Sequence, residues 1–327
     1  MQLKQMVLLV LVAFASILVL VTHAYAQAVP ANCTPDAIRS AALSVSGEGG
    51  GELDLSKCRT TPIGPLNLTG LTSVSIDFGK STVQAKGFSV GVDLTGSYHV
   101  ELHHGHVFGA SQVDVLAGLD SKHCQLREQG NLVFDDMNVD SRNLPNSVAY
   151  AIEGAEQVTW MNDTWTEGDA AALDVYGDGA GTVPYKSPYV VGCPTGQSDL
   201  IGVIIQATFV GHNGRPAIRI HGRVSEWSGF GLYMTTDGPA AGAHAVEFLN
   251  GPAWNFRFLG TRIEGFARAF TGTCIACDFD SNPPGQEWWT GSTSTATATP
   301  APTPTMTRAP TATVTPQAAT PTTRRRL

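Results

Sequence analysis

From about residue 50 to residue 280 the chain is written in short runs whose apolar residues fall at every second position. Leu53 and Leu55 open the series, and Val74, Ile76 and Phe78, then Val90, Val92 and Leu94, then Val100 and Leu102 continue it. Val158 with Trp160, Ile218 with Ile220, Val246 with Phe248 and Phe256 with Phe258 carry it on. A period of two sends alternate side chains to opposite faces, so each run predicts a strand that buries one side. Helical periodicity is found once. Thr34, Pro35 and Asp36 supply an N-cap, a proline for the first turn and a first-turn acid, and Ile38, Ala41, Ala42 and Val45 make one apolar face. The glycine-rich stretch 47–51 ends that helix. The 35 glycines of the whole chain argue against a helical bundle, because glycine weakens helix interiors and suits tight turns.

The spacing of the runs carries the fold. The segments VDLTGSYHVELHHGHVFG, YAIEGAEQVTWMNDTWTEG and AVEFLNGPAWNFRFLGTRIEG share one layout of alternating strand, small or glycine-bearing corner, second strand and second corner. The marker glycines Gly96, Gly154, Gly222 and Gly251 along the chain lie 58, 68 and 29 residues apart, one or two multiples of a common unit, as in a solenoid. A β-sandwich would need hairpins. The strong hairpin dipeptides are sparse: Asn213-Gly214 and Asn250-Gly251, the latter followed by Pro252.

The stretch from Thr34 to Gly109, a helix, then GEGGGELDL, then PLNLTGLTSVSIDFGKSTVQ, resembles the opening of pectate-lyase-like parallel β-helix proteins. The resemblance implies an all-β fold: a right-handed parallel β-helix, or solenoid, with a short N-terminal capping helix and stacked three-strand coils over residues 33–285. Coils of about 25 residues would number about ten, and strands stacked about 4.8 Å apart would make a body about 50 Å long. Polygalacturonases of this fold carry Asn-Thr-Asp, paired Asp, Gly-His-Gly and Arg-Ile-Lys in that order. Here Asp135-Asp136 is present, but His104-Gly105-His106 precedes it and Arg219-Ile220-His221 lacks the lysine, so that activity is not carried over.

The ends differ from the body. Lys4, the apolar run from Met6 to Val21 and Ala24-Tyr25-Ala26 read as a signal peptide, residues 1–26, cleaved before Gln27. The expected address is therefore secreted or cell surface, with no transmembrane segment in the mature chain. Residues 291–327 are mostly Thr, Pro, Ala and Ser and end in Arg324, Arg325 and Arg326, which predicts a disordered stalk with a basic end. The first of these segments holds one Lys and no acid and the last four Arg and no acid, leaving 28 acids against 15 bases in the β-helix domain, 27–290. Such a body lacks the basic footprint that nucleic acid requires.

Six cysteines, Cys33, Cys58, Cys124, Cys193, Cys274 and Cys277, fit an oxidising compartment as structural disulfide partners, Cys33 with Cys58 foremost. No second pair or histidine cluster completes a metal site around Cys274 and Cys277.

In a solenoid, outward residues about one coil apart meet in rows. Asp135 and Asp136 precede Asp163 by 28 and 27 residues, so these three are the candidate catalytic acids. Paired carboxylates can serve glycoside hydrolysis, or hold Ca²⁺ if the protein is a lyase; no other cofactor is expected. Asp and Asn also satisfy turn backbone, which is the bland alternative for the same residues. Trp165, Glu167 and Asp169, with His104 and His106, are the candidate ligand contacts, Trp165 as a flat face for a sugar ring. Trp160 alternates with Val158 and is expected in the core, while Arg219, His221 and Arg257 are expected outward and solvated. The irregular stretch 177–200 is expected to overhang a groove. Asn32, Asn67 and Asn162 each begin an N-glycosylation pattern. The functions expected are a non-catalytic module binding an extracellular polysaccharide or surface glycan, or else a polysaccharide lyase or glycoside hydrolase.

Overall fold

The computed structural model describes residues 26–118, 130–153, 156–176, 202–222, 224, 227–237, 244–249, 253, 254, 256–275 and 277–279. The predicted signal peptide up to residue 25, the stalk, Cys124, Cys193 and the stretch 177–200 lie outside the described residues. Among the described residues no helix is long and apolar enough to cross a membrane.

The helix spans Pro35–Gly47, and Thr34 caps it by accepting the Ala37 amide. Ile38, Ala42 and Val45 turn inward and close the first coil. Arg39 fastens the helix to that coil through the Asn67 carbonyl oxygen, 2.5 Å away, and the Cys33–Cys58 disulfide ties the segment before the helix to the chain after it. A second disulfide joins Cys274 to Cys277. A first strand, Ala26–Ala28, pairs with Gly51–Asp54 and straddles the expected cleavage point.

Beyond the helix the chain winds as a parallel β-helix. Three sheets of ten, seven and eight strands form its sides, and their strands pair in parallel. Each coil contributes in turn to the ten-stranded, the seven-stranded and the eight-stranded sheet; Thr72–Asp77, Thr82–Gln84 and Val90–Asp93 form the first complete example. Among the described residues seven coils carry a strand on all three sides, fewer than the ten expected. The reason is insertion. Register partners on the ten-stranded sheet lie 26 residues apart from Val74 to Val100, but 32 from Leu102 to Phe134 and 44 from Trp160 to Ile204. The added residues follow the eight-stranded-sheet strands Val113–Gly118 and Ala171–Tyr176.

Two recurring left-handed backbone positions bend the chain at its corners. Ser73, His99, Asn131 and Gln157 adopt one of them early in successive strands of the ten-stranded sheet, with φ between 50° and 58°. His104, Asp136, Asn162 and Gln206 adopt the other, each just after a strand of the same sheet, with φ between 48° and 53°. Asn and Asp tolerate this region better than most residues, which is why such residues gather there. Gly96 and Gly222, two of the marker glycines, sit at positive φ on the remaining corner. Asn213-Gly214, the strongest hairpin signal, instead turns the chain between two parallel sheets.

The inward file of the ten-stranded sheet becomes larger as far as Trp160. Val74 and Ile76, then Val100 and Leu102, give way to Leu132 and Phe134, then Val158 and Trp160. Trp160 is fully buried, with ring centroids of Phe134 and Trp227 each 5.7 Å away and Tyr150 and Phe209 edge-on. Where Phe258 needs room, the preceding coil supplies Gly229, whose missing Cβ would lie 2.5 Å from the Phe258 ring.

Candidate functional site

The outward face of the seven-stranded sheet is the most functional-looking surface of the body. Parallel register aligns its side chains in rows along the solenoid axis. One row runs His106, Asn138, Trp165, Thr208, Tyr233 and Arg262, one residue per coil. A second runs Gln84, Phe108, Asp140, Glu167, Val210 and Thr235. Trp165 is 41% exposed, in contrast to the fully buried Trp160 and Trp227. Its Nε1 donates to Glu167 Oε1 at 2.7 Å, which fixes the ring. Arg142 places Nη1 2.7 Å from the other Glu167 oxygen, an ion pair whose angles fall short of a hydrogen bond, and Nε 3.2 Å from Asp140 Oδ2.

Electrostatics follow from this packing. Burial pushes the Glu167 carboxyl up; the Trp165 hydrogen bond and Arg142 pull it down, and Asp140 and Asp237 push it up again. His106 is pushed down by burial, with Asp140 opposing. Its ring stacks on Phe108 at 4.9 Å. Farther along, the Tyr233 hydroxyl donates to Glu264 at 2.7 Å, and the Arg262 guanidinium lies over the Tyr233 ring while pairing with the same Glu264.

The three candidate acids lie elsewhere, at the corner between the ten- and seven-stranded sheets. Asp135 stands beside Met161 in register, between His103 Nδ1 at 3.2 Å and the Asn162 amide, which donates at 2.7 Å. Asp136 and Asp163 are exposed corner residues with left-handed backbone. His104 occupies the same kind of corner position, and its Nδ1 lies 3.0 Å from Asp77 Oδ1. Asp169 accepts the Asn146 amide at 2.6 Å, a backbone-satisfying role at the next corner. The candidate residues therefore divide: His106, Trp165 and Glu167 share one face, whereas Asp135, Asp136, Asp163, His104 and Asp169 sit at its edges.

Arg219 and His221 do face outward, from the eight-stranded sheet, but they are not solvated as expected. In register, Asp174 stands beside Arg219 and Tyr176 beside His221. The Asp174 carboxylate is fully buried and takes three partners: Arg219 Nη2 at 2.6 Å, His221 Nε2 at 2.7 Å and the Tyr176 hydroxyl at 2.8 Å. The Tyr176 and His221 rings stack 4.5 Å apart and 3° from parallel. Burying a carboxyl group away from water is costly unless partners of this kind satisfy it. Arg257, the third residue expected to be solvated, is exposed. A signal for Asp174 existed in the sequence: it interrupts the otherwise apolar strand AALDVY.

Among the described residues no group of three or more His, Cys, Asp and Glu side chains is placed to hold a metal ion. Comparison with protein-family models, with curated proteins and with solved structures finds no match.

Proposed function

We propose that this is a pectate-lyase-like β-helix protein, secreted or displayed at a cell surface, that binds an extracellular polysaccharide or surface glycan along the seven-stranded sheet. The observation that carries the reading is the outward row through Trp165. An indole left 41% exposed, yet fixed by a hydrogen bond to a buried carboxylate, has the form of a preorganised stacking surface. The helix-closed first coil and three-strand coils support the family resemblance, and the Cys33–Cys58 disulfide suits an oxidising compartment. The test is retention of the whole chain on a panel of immobilised polysaccharides. Retention on at least one, weakened by Trp165→Ala, is expected; a panel with no retention refutes the proposal.

A second reading, a polysaccharide lyase or glycoside hydrolase, is favoured by the Asp174 centre. A carboxylate, an imidazole and a guanidinium converging on an outward sheet face are groups that acid–base chemistry uses. Release of reducing or unsaturated sugar ends, assayed with and without calcium and abolished by Asp174→Asn, is the outcome that would favour it over binding alone.

A further inference from the structure

We infer that the ligand of the seven-stranded face is an uncharged hexose chain lying parallel to the solenoid axis, its sugars meeting rings and hydrogen-bonding side chains in alternation. The inference rests on the glycan reading above and narrows it. Three features of the face point this way.

The first is periodicity. In the outward row the ring-bearing residues His106, Trp165 and Tyr233 occupy every second coil, Tyr233 with one ring face already under Arg262, and the coils between them present an amide, Asn138, and a hydroxyl, Thr208. Strands stack about 4.8 Å apart, so the rings recur about every 9.6 Å. That is the scale of two linked sugar rings. A chain laid along the axis would bring an apolar ring face to Trp165 once per disaccharide, and its hydroxyls to Asn138 and Thr208 on either side. A chain laid along a strand would meet only two or three outward residues, because side chains alternate.

The second is the state of the cations. A uronate polymer would require free positive charge along the row, and the guanidinium groups of Arg142 and Arg262 that lie against it are already paired, which leaves Arg215 at the edge of the face among the described residues. Arg142 lies between Asp140 and Glu167, and Arg262 is paired with Glu264. The carboxylates of these pairs, with Asp237, exceed the guanidinium groups, so a polyanion would meet like charge. The whole body, with 28 acids against 15 bases, repeats that bias.

The third is preorganisation. Glu167 fixes the Trp165 indole and Glu264 fixes the Tyr233 hydroxyl, so little ordering remains to oppose binding.

Isothermal titration calorimetry of the whole chain with cellohexaose, mannohexaose, laminarihexaose and hexagalacturonate tests the inference. At least one neutral hexamer should bind, its disaccharide about tenfold or more weaker, with affinity little changed between low and high salt. Trp165→Ala should weaken that hexamer about tenfold, and Asn138→Ala should weaken it measurably. Circular dichroism of each variant guards against loss of fold. Binding of hexagalacturonate alone overturns the inference and leaves the glycan reading standing. Neutral binding that ignores both substitutions overturns the placement on this face. Failure of every hexamer to bind overturns the inference together with the reading.

Discussion

Asp114 makes the stability of the fold depend on pH, in the direction opposite to most carboxylates. It lies in the strand Val113–Gly118 and is fully buried. One carboxyl oxygen accepts the Ala110 amide at 2.8 Å and the other has no hydrogen-bond partner. Burial pushes its pKa up to about 8, with the Ala110 bond opposing and Asp140 adding to the rise. Tyr150 shares this interior; its hydroxyl is pushed upward by burial and by Asp114. An unfolded Asp titrates near 3.9. Between about pH 4 and pH 8 the native chain therefore holds a proton that the unfolded chain releases, and stability falls as pH rises through that window. Each unit of difference is worth about 1.4 kcal/mol, so the roughly four-unit rise is worth about 6 kcal/mol in all. Asp114→Asn keeps an oxygen for the Ala110 amide and removes the titration. Urea unfolding followed by tryptophan fluorescence at pH 5, 7 and 9 should show wild type losing stability across the series, with most of that loss absent in the variant. An equal slope in both proteins, or an Asn variant less stable than wild type at pH 9, refutes the argument.

Other substitutions probe the scaffold. Gly229→Ala places a methyl 2.5 Å from the Phe258 ring and should cost about 1–3 kcal/mol in the same urea assay, whereas Gly47→Ala, exposed at the end of the helix with nothing within 4 Å, should not be destabilising. Asp174→Ala leaves Arg219 and His221 without their shared carboxylate and should cost about 3–5 kcal/mol, read as a lower thermal midpoint. Thr34→Ala removes the helix cap and should cost about 1 kcal/mol.

The core was legible in the sequence because its rule is local. Every alternating run named from the sequence lies in or beside a strand, with each of its apolar residues except Val90 buried, because a period of two is set by neighbouring residues alone. Thr34 and Pro35 announced the helix for the same reason. Rows were less legible because they depend on the length of each coil. The interval of 27 from Asp136 to Asp163 is close to the 26-residue step that relates Phe134 to Trp160, yet a one-residue difference makes Asn162, not Asp163, the residue equivalent to Asp136 on the next coil. Asp174 and Arg219, 45 residues apart, were hidden by the insertion between their strands, since a coil of about 25 residues would never bring them together.

That contrast bears on where function lies. Inward files are constrained by packing, so their residues report stability. Outward rows carry no such requirement, and a solenoid could fill them with any soluble side chain. Two of them depart from that freedom. On the eight-stranded sheet a charged group, Asp174, is withdrawn from water and held by three partners; on the seven-stranded sheet an indole, Trp165, is left in water and held by one. A buried charge costs stability and an exposed indole forgoes burial, so neither is explained by folding alone. Trp165 is exposed and open to a ligand as it stands, whereas the Asp174 carboxylate is fully buried with Arg219, His221 and Tyr176 as its partners. Binding is therefore the reading that requires no movement of the fold, and catalysis at Asp174 is the one that does.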